Sequence, residues 1–190
     1  MKTNEEYEKE FIDTAKEKTG HTVEEWMAIL KSENPSKMKQ ALDWLKSEKE
    51  IGHMHATFIA AIYLNNGLPV YDSKVLFESH FQDNEDKRPI YHKIESLALA
   101  EFHNMQIVPT KGYISFRNDK EFAVVKVNKK QLRVGLDLAD RPFDNYVQKA
   151  KNLGTMPRIS HMVEVYEESE VNDKLKAKMI EANQIVNQKK

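Results

Sequence analysis

Apolar residues recur with helical spacing along the first part of the chain. Tyr7, Phe11 and Ala15 fall four apart within residues 1–20 and give one apolar stripe, which Gly20 stops. Thr22-Val23-Glu24-Glu25 has the capping-box pattern. The Thr22 hydroxyl accepts a backbone N–H three residues on, and Glu25 reaches back. Val23, Trp26, Met27 and Leu30 then occupy one helix face, until Asn34-Pro35-Ser36 breaks it. Met38, Ala41, Leu42 and Leu45 repeat the spacing, and Gly52 is read as the left-handed C-cap of that helix. Ala56, Ile59, Ala60 and Tyr63 mark a further helix, ended by Asn65-Asn66-Gly67-Leu68-Pro69. A short helix is expected over Asp72 to Phe81. A polar loop follows over Gln82 to Arg88, able to serve a rigid or a hinged arrangement of two modules. Pro89 then opens a helix that buries Ile90, Ile94, Leu97 and Ala98.

From Pro109 the period shortens from 3.6 to 2. Ile114 and Phe116 alternate with Tyr113, Ser115 and Arg117. Phe122 to Val127 is a second run, and Leu132, Val134, Leu136 and Leu138 alternate with Arg133, Gly135 and Asp137. The turns Asn118-Asp119-Lys120 and Asn128-Lys129-Lys130 between them predict an antiparallel meander. Residues 141–157 read as a long loop, Ile159, His161, Val163 and Val165 as a fourth strand, and Val171 to Val186 as a closing helix. The fold class is therefore α+β: an N-terminal module of three or four helices, then a small antiparallel sheet flanked by helices. The parts are a helical lead-in over 1–20, a helical module over 21–68 and an α+β domain over 69–190.

Composition changes this picture little. Lys and Arg number 29 against 30 Asp and Glu, so no global charge advertises nucleic acid or an anionic membrane. The absence of cysteine excludes disulfides, thiolate catalysis and Cys-based metal sites, and suits a reducing compartment. The N-terminus lacks the apolar core of a signal peptide, and no apolar run approaches the ~20 residues of a membrane span. A cytoplasmic location with no membrane partner is expected.

Thr22-Val23-Glu24-Glu25-Trp26, Ala41-Leu42-Asp43-Trp44-Leu45-Lys46 and Gly52-His53-Met54-His55-Ala56 resemble a small bacterial helical domain of unknown function. A second, uncharacterised domain, often fused to the first and sometimes labelled a predicted transport protein, is resembled by several segments of the second half. These are Arg88-Pro89-Ile90-Tyr91, Lys111 to Arg117, Phe122-Ala123, Leu132 to Leu136 and His161. Together the two resemblances imply a two-part bacterial architecture and no established activity. The transport label has no support from a chain without a spanning segment. At fold level alone, the strand pattern also resembles small α+β folds of the frataxin-like type, and fold does not give function.

Candidate chemistry concentrates in the sheet. Residues 111–158 carry eleven Lys or Arg against five acids, a local excess of six positive charges. If Ile114 and Phe116 face the core, Tyr113, Ser115 and Arg117 share the other sheet face, with Arg133 and Lys126 as neighbours. Such a face suits an anionic small molecule or segment, since Arg supplies a planar donor fork and Tyr and Ser supply hydroxyls. The ordinary alternative is a solvated face whose lysines blunt strand edges. Lys111, Tyr113, Ser115, Arg117, Arg133 and His161 are the candidate binding residues. His161 is also read as a buried, hydrogen-bonded core histidine. His53 and His55 are the most tempting metal pair, at a spacing that helix geometry does not favour. No catalytic residue and no cofactor is assigned, since no phosphate-loop, dinucleotide, zincin or nucleophile-elbow motif is present. A protein partner is one alternative. Nucleic-acid binding by a helix-turn-helix-like pair across Ile51-Gly52 is another, against which Ala56 to Leu64 offers no Lys, Arg or Gln to base edges. A metal carrier or enzyme using the histidines is a third.

Overall fold

A computed structural model of the chain describes residues 2–187. They form two compact units, one up to Asp72 and one from Ser73.

The first unit is helical: α1 (Asn4–Thr19), α2 (Val23–Glu33), α3 (Met38–Ser47) and α4 (His53–Leu64). The expected Thr22–Glu25 capping box is formed at α2, and α1 has a second one between Thr3 and Glu6. The lead-in helix is a full member of the bundle, because Phe11 and Ala15 are buried in the same core as Trp26, Leu30, Leu45 and Ile59. Its stripe differs from the expected one. Tyr7 is largely exposed, and the buried positions are Glu8, Phe11 and Ala15. The Glu8 carboxylate is buried and accepts N–H bonds from Val70 at 2.9 and 3.0 Å and from Tyr71 at 2.9 Å. It fastens the chain after α4 to α1.

Gly52 does not cap α3. That helix ends at Ser47, Glu50 takes the left-handed conformation (φ 54), and Ile51 N–H reaches back to the Leu45 carbonyl at 3.1 Å. The bond closes a seven-residue backbone turn at the end of α3, with Glu50 in the left-handed region. Gly52 instead precedes α4, its carbonyl accepting the Ala56 N–H at 3.0 Å.

The second unit contains α5 (Ser73–Phe81), α6 (Arg88–Glu101), α7 (Asp173–Asn187) and a six-stranded antiparallel sheet. The strands are β1 (Gln106–Pro109), β2 (Ile114–Arg117), β3 (Glu121–Val127), β4 (Leu132–Leu136), β5 (Gln148–Lys149) and β6 (His161–Val165), in the order β1-β2-β3-β4-β6-β5. The expected meander is β2-β3-β4, and the expected fourth strand is β6. The two short edge strands were not anticipated. β1 is four residues ending in Pro109, and β5 has two residues inside the expected loop. The polar loop at 82–88 lies within this unit and not between the two. It holds a 3₁₀ turn at Glu85–Lys87, and Arg88 is salt-bridged to Glu78 and Glu85.

Alternation sorts the sheet into two faces. Ile114, Phe116, Ala123, Val125, Leu132, Val134, Leu136, Val163 and Val165 pack with residues of α5, α6 and α7 in one large apolar core. A bulge keeps Phe122 on this face too, since Phe116 pairs with Ala123 but Arg117 pairs with Glu121. Val124 and Met162 point the other way and form a small cluster with Leu153 and Ile159. The latter two belong to a strap, residues 150–160, that crosses this second face. Gly135 makes the crossing possible. A Cβ there would lie 2.6 Å from Leu153 and 2.7 Å from both Ile159 and Val124.

Candidate functional site

The candidate residues start from the turn before β2. Thr110 Oγ1 accepts the Tyr113 N–H at 3.1 Å and donates to its carbonyl at 2.7 Å. This tight turn leaves Lys111 exposed at its tip and sends the chain into β2. Tyr113, Ser115 and Arg117 then fall on the strap face, as alternation requires.

The face is not an open basic surface. Arg133 Nε donates to Glu164 at 3.1 Å and its Nη1 to the Lys151 carbonyl at 3.3 Å, with both side chains 15% exposed. Lys126 Nζ donates to the Asn152 carbonyl at 2.6 Å. These two cations hold down the strap. Glu164 also accepts from Gln131 at 3.0 Å and from the Tyr166 hydroxyl at 3.0 Å. Burial alone would push its carboxyl up. The bonds from Gln131, Tyr166 and Arg133 outweigh that and hold it below the usual carboxylate range. The excess of positive charge over 111–158 is thus dispersed. Part of it fastens the strap, Arg141 pairs with Glu181 at 2.7 Å, and Lys111, Lys129, Lys130, Lys149 and Lys151 are exposed.

A denser constellation lies where β2 ends and β3 begins. Ser115 is buried, and its hydroxyl donates to Glu121 Oε2 at 2.6 Å. Arg158, from the strap, lies 3.6 Å from Glu121 and 3.7 Å from Asp137. Those distances are ionic contacts beyond hydrogen-bond range. Tyr113 is half-buried. Its phenol is pushed up by burial and by Glu121, against the opposing pull of Arg158, and stays a neutral O–H donor. Arg117 is half-buried, and its Nε is buried with no hydrogen-bond partner among the described residues.

The six candidates are therefore not one site. Tyr113 and Ser115 share Glu121 as a neighbour, Arg117 follows on the same face of β2 by alternation alone, Arg133 is committed to Glu164 and the strap, and Lys111 stands off on the turn. His161 alternates in step with Val163 and Val165, on the helix side. It is buried, with Nε2 2.8 Å from the Arg141 carbonyl, Nδ1 2.9 Å from Ser160 Oγ, and its ring 4.7 Å from that of Phe143. Both nitrogens are satisfied if Nε2 donates and Nδ1 accepts. It is a buried, hydrogen-bonded histidine on the side of the sheet away from the strap.

Sequence reasoning missed Glu121, Asp137 and Arg158. The available signal was Gly135: a glycine inside a strand marks a bulge or a close approach of another segment. In the helical unit, His53 and His55 both lie in the first turn of α4, and His55 stacks on Phe11 at 5.5 Å. Among the described residues, no group of three or more His, Asp or Glu is arranged to hold a metal ion. α4 buries Ala56, Phe58, Ile59, Ala60 and Ile62, so it is the central helix of its bundle and not one that projects toward a groove. Among the described residues, no helix is long and apolar enough to cross a membrane.

Two family models match the chain. One, described as Domain of unknown function (DUF5655), matches residues 77–185, and the other, described as Domain of unknown function (DUF4287), matches residues 8–65. The curated proteins and the solved structures gave no match.

Proposed function

The chain belongs to the DUF5655 family of domains of unknown function, and on that footing we propose that its sheet is a receptor for a small anion, a carboxylate or a phosphate, held by Arg117 at the end of β2. The observation that carries this reading is the buried Arg117 Nε, which has no hydrogen-bond partner among the described residues. A guanidinium presents its donors in a planar fork that matches carboxylate and phosphate oxygens. A buried donor left without an acceptor costs about 1–3 kcal/mol, and more when charged. An anion seated at Arg117 removes that cost. Ser115 and Tyr113 bring hydroxyls to the same face. Arg158, held only by long ion pairs, can turn from its two acids toward the ligand without breaking a hydrogen bond to either.

Calorimetric titration of the full chain with inorganic phosphate and with acetate tests this. Saturable binding of either anion, weakened about tenfold in Arg117→Gln and retained in Arg133→Gln, is the expected result. Absence of saturable binding by both anions, or equal affinity in Arg117→Gln, rejects the site.

A further inference from the structure

A second place in the α+β unit, independent of Arg117, has the chemistry of a binding site. β5 is only two residues long, pairing Gln148 with Met162 and Lys149 with His161. Just before it, Asp144 Oδ1 accepts the N–H groups of Tyr146 at 2.7 Å and Val147 at 2.6 Å. This side-chain turn swings the chain away from the second half of β6. The space left is a cavity of about 320 Å³, whose polar lining includes Asn145, Tyr146, Gln148, Glu164, Tyr166 and Glu170. Its size falls in the range of small-molecule sites.

The lining has two carboxylates, three carboxamides and two tyrosines, and no Lys or Arg. Glu164 is occupied by Gln131, Arg133 and Tyr166. Glu170 caps the 3₁₀ turn at Glu168–Glu170 through Oε2 alone, accepting the N–H groups of Tyr166 and Glu167. Its Oε1 is an unengaged acceptor among the described residues. The Tyr146 hydroxyl is buried without a hydrogen-bond partner among the described residues. Burial first, then Glu170 and Asp144, pushes that phenol up to about 12, so it remains an O–H. Lys174 Nζ, which is not part of the lining, sits 4.0 Å from the centre of the Tyr146 ring. This is cation–π geometry, which the face of a tyrosine ring favours.

We propose that this cavity binds a small organic ammonium ion, with Glu170 Oε1 as its counter-ion. An ammonium carries three donors and no acceptor. Glu170 Oε1 and the amide oxygens of Asn145, Gln148 and Asn172 supply acceptors for them, and the Tyr146 and Tyr166 rings supply walls. An anion would meet Glu170 with no cation in the lining to offset it, since Glu164 is already paired with Arg133.

The experiment is calorimetric titration of the full chain with methylammonium, ethanolamine and putrescine, and with 1,4-butanediol as the uncharged counterpart of putrescine. At least one ammonium ion is expected to bind saturably while butanediol does not. Glu170→Gln weakens that binding roughly fivefold. Glutamine retains an oxygen for the cap, so the thermal melt of this variant is expected to match the parent. Tyr166→Ala also weakens binding, and Arg117→Gln leaves it unchanged. The proposal is overturned if no ammonium ion gives saturable heat below about 10 mM. It is equally overturned if butanediol binds as well as putrescine, or if Glu170→Gln and Tyr166→Ala both bind like the parent.

Discussion

On one side of the sheet, three helices press a continuous apolar layer against nearly every inward residue of β2, β3, β4 and β6. On the other, a strap covers the sheet with a cluster of only four buried apolar residues and is otherwise held by cations bonded to its carbonyls. The first side stabilises by area removed from water, which is large and non-directional. The second depends on a few directed bonds and on one glycine that lets backbone and side chain approach. Stability is unevenly distributed in such an arrangement, and segments with few buried contacts open first. The candidate anion site is on the strap side, with Arg158 part of the strap itself. The difference teaches that the sheet is anchored from one face by apolar area and covered on the other by directed polar bonds.

The contrast is open to attack in order of expected effect. Phe122→Ala removes a ring from the helix-side core and is expected to cost about 3–5 kcal/mol, against about 2–3 kcal/mol, the low end of the leucine range, for Leu153→Ala in the strap. Denaturant unfolding followed by circular dichroism reads both. Both tryptophans, Trp26 and Trp44, lie in the helical unit, so their fluorescence serves as an internal control. Equal costs at the two positions would mean that the strap is as much core as the helices are. Next, Gly135→Ala forces a methyl against Leu153, Ile159 and Val124, and overpacking of this kind costs about 1–3 kcal/mol. Hydrogen exchange is expected to quicken at residues 150–160 while α7 keeps its protection. Quickening in α7 as well would show that the two faces fail together.

The smallest effect separates the faces by acid. Burial, opposed by the bond to the Thr110 carbonyl, lowers the pKa of His80 on α5. A depressed histidine contributes stability that is present above its unfolded value of about 6.5 and is lost as pH falls through the lower folded value. Glu164 is also depressed, so its contribution is present above about 4.5 and is lost only at more acid pH. Stability measured from pH 7 downward should therefore decline first through His80, and His80→Gln should flatten that first decline. An unchanged profile in His80→Gln would remove the histidine from the account.

Local rules carried much of this architecture. The Thr22–Glu25 box, Pro89 at the start of α6 and the alternation in β2 each involve residues within a few positions of one another, and each appears where the pattern places it. What was hidden is non-local. α1 reads as a lead-in until its Phe11 is seen against α4. Arg133 reads as a free cation until Glu164, 31 residues on, is seen beside it. Gly52 reads as a cap because glycine takes left-handed geometry cheaply, yet that geometry falls to Glu50, which bears some strain there. The candidate site was half legible. Periodicity put Tyr113, Ser115 and Arg117 on one face, but no pattern within β2 or β3 announces that Arg158 arrives over them from a distant loop.

Glu8 has a practical consequence for anyone dissecting the molecule. The helical match ends at residue 65, which invites trimming there. The donors for the Glu8 carboxylate, however, are the N–H groups of Val70 and Tyr71. A fragment cut at 65 strands a buried carboxylate without its donors, a defect on the order of several kcal/mol. The smallest autonomous piece of the helical unit therefore runs from before Glu8 to beyond Tyr71, and its true border is set by a side chain in its first helix.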